Sequence, residues 1–404
     1  MDFDVVVVGG GPVGCFTATG IAKNGFKVLA VEEHKSIGEP VQCSGLISPR
    51  TLTLVNAPGS LVLREFSNAR IMSSMGSELL INGDRIHAYA IDRSGFDRYL
   101  ANQAREAGVE ILTGARATLI KRNSHGFSIN IALEGREITA CCRLLIGADG
   151  VNSRTARWLG LPRAGGRVNM YAGELLLNRV NLDEIQVLLG QDFAPGWFGW
   201  VIPLTGRLAR VGVGSIFNNT SPRYCFKRMI DSYPSIFHGC KEIRYTGGLV
   251  PFGPMKKIYA SHAMLVGDAA SQVKPMSGGG LYTGLRGAQI CSGVANKALS
   301  RDFLFEKYLA EYQYLWDGEF SAEFESGVRH REIYSTFSDI DLHKLLRSLD
   351  RPYWRRLIAR HGDIDYPSWL GRRLFTAGPW LQKFARAAID LYEYGEKMKS
   401  RVEA

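Results

Sequence analysis

The sequence predicts an α/β fold: a parallel-sheet domain gathered from separated segments, an inserted β-rich domain and a helical C-terminal section. Three observations predict it. The chain opens as strand, glycine turn, helix and strand: Asp2 to Val8, Gly9 to Gly14, a helical pattern from Val13 to Asn24, then Lys27 to Val31, which together form a βαβ unit. Between Asn169 and Ser215 lie the β-type runs Met170 to Leu177, Ile185 to Leu189, Trp200 to Pro203 and Ala209 to Gly214, the pattern of an antiparallel sheet. A strand then reappears at Ala263 to Val266, followed by Gly267-Asp268, a glycine-rich loop and a long helix from Leu281 to Ala298. The chain thus returns to its first domain.

The remaining elements fill this frame. A helix is expected from Arg93 to Ala107, then strands at Val109 to Leu112, Ala117 to Lys121, Phe127 to Leu133, Glu137 to Cys142 and Leu144 to Gly147. The first domain is expected to comprise 1–75, 90–160 and 260–300, the β-rich domain 76–89 and 161–259, and the helical region 301–404. Ala377, Trp380, Leu381, Phe384, Ala388 and Leu391 recur at helical spacing, with Lys383, Arg386 and Glu393 outside. The stripe is narrow and its polar face carries both charge signs, so it suits a helix packed on its own protein first. Peripheral membrane contact through Trp369 and Trp380 is the second reading.

Composition narrows the function classes. With 46% hydrophobic, 10% aromatic and 22% charged residues, the chain is neither disordered nor collagen-like. Its 7 Cys are odd in number and carry no CxxC spacing, which excludes a disulfide scaffold and leads us to expect reduced thiols in a cytoplasmic protein. The first apolar run, Val5 to Val8, is too short for a signal peptide, and no run approaches the roughly 18 apolar residues of a spanning helix. The 49 Lys plus Arg exceed 39 Asp plus Glu by 10, and the stretch from Arg301 to Ala404 holds 17 of each sign, so the excess lies in the first 300 residues. No basic run interleaves with aromatics, so nucleic acid is not an expected partner. An acidic redox partner or an anionic membrane surface suits the charge.

The glycine turn carries the first chemistry. Gly9, Gly11 and Gly14 form G-x-G-x-x-G directly after a strand and at the opening of a helix. The first glycine permits a tight turn, the second a close approach of pyrophosphate to backbone, and the third close helix–strand packing, while the helix N-terminus offers amide donors. Glu32 ends the second strand, where a carboxylate accepts from an adenosine ribose; Glu33 is the competing assignment. An acid there repels a 2′-phosphate. These features together predict dinucleotide binding.

Two distant motifs specify the dinucleotide. Leu145-Ile146-Gly147-Ala148-Asp149-Gly150, followed by Ser153 and Arg157, and Leu265-Val266-Gly267-Asp268-Ala269-Ala270, followed by Gly278-Gly279-Gly280, resemble the FAD-dependent superfamily that includes p-hydroxybenzoate hydroxylase. The resemblance implies a glutathione-reductase-type, Rossmann-like FAD-binding domain. It also implies that Asp268 accepts from the ribitol chain, that Gly280 and Leu281 present backbone N–H groups to the flavin, that Arg93 lies near the cofactor and that the Ala117 backbone lies beside the adenine. The structural alternatives are a helix cap for Asp268 and a surface arginine at Arg93. Lys274 precedes the glycine loop; it reads equally as a cation near the flavin or as a solvated lysine, and is not assigned a catalytic role.

The segment Pro40-Val41-Gln42-Cys43-Ser44-Gly45 has the form P-x-x-C-[SG], and Phe198-Gly199-Trp200-Val201-Ile202-Pro203 has the form aromatic-x-Trp-x-apolar-Pro. Together they resemble the geranylgeranyl reductase family over essentially the whole chain, as in archaeal digeranylgeranylglycerophospholipid reductases. Phe198 and Ile202 depart from the family's usual tyrosine and phenylalanine, so a phenolic hydroxyl is absent there. The aromatic motif also resembles the W-x-W-x-I-P element of flavin-dependent halogenases, whose characteristic lysine motif is not found after the first helix.

By this resemblance the chain is an FAD-dependent reductase that saturates C=C bonds of a geranylgeranyl lipid, with reduced flavin supplied by NAD(P)H or reduced ferredoxin. The cofactor residues would be Gly9, Gly11, Val13, Gly14, Glu32, Cys43, Ser44, Arg93, Ala117, Asp268, Gly280 and Leu281. Phe198, Trp200 and Pro203 would wall the hydrocarbon, against the alternative of plain core packing. Cys43 is read as a flavin contact first and a proton donor second. No metal ligands are assigned. The isoprenoid lipid and a ferredoxin are the implied partners, in a cytoplasmic protein that touches the inner face of the membrane. A flavin monooxygenase or halogenase on the same scaffold is the alternative function, and a flavin-carrying relay or lipid binder the third.

Overall fold

A computed structural model describes residues 2–162, 165–178, 182–216, 220–368 and 370–371. The chain divides into two compact units: Met1–Glu65, Ala88–Met170 and Tyr245–Phe324 form the first, and Phe66–His87, Tyr171–Arg244 and Glu325–Ala404 the second. The helical section expected from 301 is therefore divided between the units at 324/325. The apolar stripe over 377–391 with Trp380, and Trp369 before it, lie outside the described residues. Among those described, no helix is long and apolar enough to cross a membrane.

The first unit is built on an eight-stranded sheet. Its central strands are parallel, running Ala263–Leu265, Arg136–Gly147, Asp2–Val8, Val28–Val31 and Glu110–Leu112 across the sheet. Val5 to Val8 and Val28 to Val31 are buried on both faces. The Pro12–Ala22 helix packs on these strands, with Arg93–Glu106 and Leu281–Arg301 against it, and the antiparallel strands Ala115–Asn123 and Gly126–Leu133 bring Ile120, Phe127, Ile129 and Ile131 against Val6, Val8, Leu29 and Val31. Val6, Leu29, Ile129, Ile131 and Leu145 are fully buried in one cluster, each contributing about 1.5–3 kcal/mol on burial.

One expected pair of strands is a single one. Arg136–Gly147 runs unbroken, pairing antiparallel with Gly126–Leu133 through its first half and parallel with Asp2–Val8 toward its end. Arg143, between the two expected segments, is accommodated within the strand: its Nη1 donates to Asp4 at 2.9 Å and its Nη2 to Asp302 at 2.8 Å.

In the second unit Ile185–Leu189, Gly199–Pro203 and Leu208–Ser215 are antiparallel neighbours in one sheet. Ile185–Leu189 pairs parallel with Asn68–Ser73, so the sheet is mixed where only antiparallel pairing was expected. These two strands are distant in sequence, and no tight hairpin fixes their direction. Leu188, Val201, Val211 and Val213 pack beneath Phe226 and Met229 of the Pro222–Ser232 helix. Leu342, Leu346, Trp354 and Ile358, from the helices Asp339–Leu349 and Pro352–His361, form a separate cluster with Leu79 and Leu189.

Candidate active site

In the first unit the loops after four parallel strands meet, at the end of the sheet where open α/β folds hold ligands. Gly9 has φ +110°, and a Cβ there would lie 2.2 Å from the Ala148 carbonyl oxygen; at Gly14 it would lie 2.1 Å from that of Gly9. A Cβ on Gly11 would meet nothing within 4 Å. Two glycines therefore answer to packing within the protein, and the third leaves space beside the backbone. Gly11 caps the Pro12–Ala22 helix without a side-chain hydrogen bond, and no acid occupies the first turn. Its terminal amides and positive dipole end are left for an outside acceptor.

Glu32 stands beside this turn, accepting from the Gly10 amide at 2.8 Å and the His34 amide at 2.9 Å, while Glu33 is exposed. Val13 joins the first motif to the third, since Cβ atoms on Gly267 and Gly284 would lie 3.2 and 2.9 Å from its side chain. Asp149 has a different task. Its carboxylate accepts from the Ser153 hydroxyl at 2.6 Å and from the Arg154 and Thr155 amides at 2.8 and 2.9 Å, capping the Arg154–Trp158 helix.

Asp268 lies on the loop after Ala263–Leu265, and no described residue donates a hydrogen bond to its carboxylate. Burial pushes its carboxyl up to about 6, against the pull of the Arg93 guanidinium. A Cβ on Gly280 would lie 3.1 Å from Asp268 Oδ1, so the bare backbone of the glycine loop runs alongside that carboxylate. Gly280 then opens the Leu281–Arg301 helix, again with no side-chain cap and no acid in the first turn. Lys274 is buried, and a Cβ on Gly279 would lie 3.0 Å from its Cε.

Arg93 begins the Arg93–Glu106 helix, and its Nη1 donates to Asp97 one turn on; its Nε is buried with no partner among the described residues. The Cys43 loop is tied to this helix start. The Ile91 amide donates to the Gly45 carbonyl at 2.9 Å, and a Cβ on Gly38 would lie 2.8 Å from the Ser94 carbonyl oxygen. Cys43 is half-buried, its Sγ accepting from the Gly45 amide at 3.4 Å. Burial pushes the Cys15 and Cys142 thiols up to about 12.

Ala117 lies within the Ala115–Asn123 strand, opposite Ile131 at a register shift, and two residues before it the Ala115 amide donates to the Glu32 carbonyl at 2.8 Å. Phe198, Trp200 and Pro203 belong to the second unit. The Trp200 ring covers Gly212, where a Cβ would lie 2.1 Å from it, and its buried Nε1 has no partner among the described residues. Phe198 stacks on Trp197 with centroids 5.4 Å apart and meets Trp200 edge-on at 6.3 Å.

Sequence reading missed the supports of both regions. Gln272 accepts from the Gly267 amide and donates to the Tyr312 hydroxyl, both at 2.8 Å, and Tyr312 donates to the Leu265 carbonyl at 2.8 Å, fixing the loop that bears Asp268. Arg331 lies 3.5 Å from the centroid of the Trp197 ring and donates to the Gly196 carbonyl at 2.8 Å; burial draws its guanidinium down to about 9. Tyr334 donates to the Trp197 carbonyl at 2.6 Å. None of these has a motif of its own. Asp97, four residues after Arg93, did carry a signal in its helical spacing.

The first unit fits FAD on its own geometry: two uncapped helix N-termini suit phosphate and flavin oxygens, and two carboxylates, Glu32 and Asp268, suit sugar and ribitol hydroxyls. Comparison with known proteins agrees. A family model described as an FAD binding domain matches residues 2–231. The chain is 32% identical to digeranylgeranylglycerophospholipid reductase 1 of Methanococcoides burtonii over 86% of this chain and 87% of that protein. It is 31% identical to digeranylgeranylglycerophospholipid reductase 2 of Methanopyrus kandleri over 96% and 99%. A solved geranylgeranyl bacteriochlorophyll reductase-like protein of Thermoplasma acidophilum superposes with a TM-score of 0.82 at 25% identity, covering 90% of this chain and 97% of its own. A flavin-dependent brominase shares the fold alone, at 16% identity and a TM-score of 0.73 over 98% of this chain and 100% of its own. The chain belongs to the FAD-binding-domain family and, within it, to the geranylgeranyl reductases, which makes it an FAD-dependent oxidoreductase.

Proposed function

We propose that this enzyme saturates C=C bonds in the geranylgeranyl chains of a membrane glycerophospholipid. The observation that carries the reading is the match to digeranylgeranylglycerophospholipid reductases over most of both chains. The cysteine loop beside the Arg93 helix supports it. Bound and reduced, FAD supplies the hydride. In this reading Gly11, Val13 and Gly14 take the pyrophosphate, Glu32 the adenosine ribose, Asp268 the ribitol chain, and the amides of Gly280 and Leu281 the flavin ring, with Arg93, Cys43, Ser44 and Ala117 as further contacts.

An isolated alkene has no carbonyl to take up developing charge, so its reduction depends on orientation and on a placed proton donor. Cys43 is the donor we assign: a half-buried thiol in the loop packed on the Arg93 helix. Phe198, Trp200 and Pro203 orient the prenyl chain and exclude water. NAD(P)H or reduced ferredoxin supplies the electrons. The positive excess within the first 300 residues favours an acidic protein donor, and the same charge favours contact with an anionic membrane face.

The test is anaerobic incubation of the FAD-loaded enzyme with a digeranylgeranyl glycerophospholipid and each donor in turn, followed by mass spectrometry of the lipid. A gain of two hydrogens per double bond supports the reading. Unaltered lipid with every donor, or oxygen or halide incorporation into an aromatic substrate under air, replaces it with the monooxygenase or halogenase alternative.

A further inference from the structure

In the second unit the Gly199–Pro203 and Leu208–Ser215 strands take part in two rows of side chains on one face of their sheet. Trp200 lies opposite Val187 on one side and Gly212 on the other, and Ile202 lies opposite Arg210. Residues two apart along a strand share a face. Trp200, Ile202, Arg210 and Gly212 therefore point the same way, while Val201, Val211 and Val213 turn to the opposite face beneath Phe226 and Met229. The first row is apolar: the Trp200 ring covers Gly212, and a Cβ on Gly212 would also lie 2.8 Å from that of Ala172. The second row, two residues from Gly212 and Ala172, is charged. Arg210 Nε donates to Glu174 Oε1 at 3.2 Å, and Arg244 Nη2 donates to the same oxygen at 2.7 Å.

One guanidinium is enough to neutralise Glu174, and Arg210 does so from an enclosed position, with 10% of its side chain exposed against 15% for Glu174. Arg244 is a second cation on the same carboxylate, and 53% of its side chain is exposed. A guanidinium has five N–H donors in a planar fork that matches phosphate oxygens, and Glu174 takes one of them. The apolar row holds a further donor: Trp200 Nε1 is buried with no partner among the described residues. A ligand of hydrocarbon alone leaves that donor unpaired, whereas a lipid whose chain ends in oxygens can pair it.

We propose that Arg244, held by Glu174 beside Arg210, binds the phosphate of the lipid head group, with the prenyl chain running from it along Trp200. This rests on the reading of Trp200 as a wall for the prenyl chain, and it adds the feature that distinguishes a phospholipid from its phosphate-free counterpart.

The experiment is calorimetric titration of the FAD-loaded enzyme with a digeranylgeranyl glycerophospholipid and with digeranylgeranylglycerol, which lacks the phosphate, each in neutral detergent micelles. It is run on the natural chain, Arg244→Met, Arg244→Lys and Arg228→Met. The natural chain binds the phospholipid about tenfold more tightly, the scale of one charge-assisted hydrogen bond. Arg244→Met abolishes that preference and leaves the affinity for the phosphate-free lipid unchanged. Arg228 pairs with Asp192 on the Pro222–Ser232 helix, which packs on the opposite face of the sheet; Arg228→Met removes the same charge and keeps the preference.

A preference that survives in Arg244→Met overturns the proposal, and so does an equal loss in Arg228→Met, which marks attraction to net charge only. Should Arg244→Met fail to fold, Arg244→Lys decides: it keeps the charge without the planar fork and must lower the preference several-fold, and an unchanged preference overturns the proposal. Titration with inorganic phosphate separates the two sources of this chemistry: free phosphate bound as tightly as the phospholipid takes the site away from the lipid. Mass spectrometry of the same lipids under reducing conditions keeps the two readings apart. A phosphate preference carried by Arg244 in an enzyme that leaves the lipid unaltered defeats the reductase and not this site. Reduction of both lipids with no preference between them defeats this site and not the reductase. A chain that binds neither lipid defeats both.

Discussion

The glycine-lined end of the first unit and the backbone leading into the aromatic strand of the second are held in opposite ways. In the first, two helix N-termini lack side-chain caps and Asp268 has no hydrogen-bond donor among the described residues. In the second, Arg331 and Tyr334 hold the Gly196 and Trp197 carbonyls, and the guanidinium covers the Trp197 ring. The first region is arranged for an outside partner; the backbone leading into Phe198 and Trp200 is held from within. A binding site tolerates unpaired groups where its ligand will pair them, whereas a wall must be rigid before anything arrives.

Breaking the first region gives the largest effects. Gly14→Ala drives a methyl group against the Gly9 carbonyl, costing about 3 kcal/mol or more and abolishing FAD binding. Gly11→Ala meets open space, so it leaves the melting temperature of the apoprotein unchanged while the purified protein loses its yellow colour. Equal loss of stability in both variants would contradict the distinction between the two glycines.

The second region responds in reverse. Arg331→Met leaves the Gly196 carbonyl without its donor and strips the cation from Trp197, which lowers stability by about 3 kcal/mol in denaturant unfolding. FAD affinity stays at its natural value, since no cofactor residue is touched. Cys43→Ala sharpens the chemistry of the first unit: at saturating FAD it lowers the rate of lipid reduction about 100-fold, the scale of a lost general acid. A rate within twofold of the natural enzyme would remove Cys43 as donor.

Asp268→Asn is the subtlest. The folded carboxyl lies at about 6, above its ordinary 3.8, so the native state holds this proton longer than the unfolded chain does. The stability contributed by this group is full below the ordinary value and is lost as pH rises through 6. The Asn apoprotein is consequently more stable than the natural one above pH 6, the gap closing toward pH 4, while its FAD affinity falls about tenfold. Thermal unfolding of both apoproteins across this range checks the sign.

How much was legible follows from what each residue does. The glycines and Glu32 could be named from spacing because strand–turn–helix geometry imposes them locally, whereas Asp268 was named only through the resemblance of its motif to FAD-dependent enzymes. Choosing Glu32 over Glu33 as the neighbour of the turn needed the Gly10 amide, which spacing does not reveal. Asp149 shows the opposite limit: its motif was visible, but its carboxylate caps a helix, and the motif's contact with the turn is the Ala148 carbonyl packed against Gly9. Gln272, Tyr312 and Arg331 act across 40, 47 and 135 residues, and no periodicity announces such partners. The unbroken Arg136–Gly147 strand was read as two, and the ion pairs that seat Arg143 within it, to Asp4 and Asp302, come from residues far away in sequence.

The central claim is that flavin held by the first unit passes its electrons to a prenyl double bond. Its most direct test is to reduce the FAD-loaded enzyme, exclude oxygen, add a digeranylgeranyl glycerophospholipid and follow the flavin absorbance. The account predicts that the yellow colour returns in step with the double bonds consumed. Flavin that stays bleached in the presence of the lipid, and reoxidises only when oxygen is admitted, would contradict it.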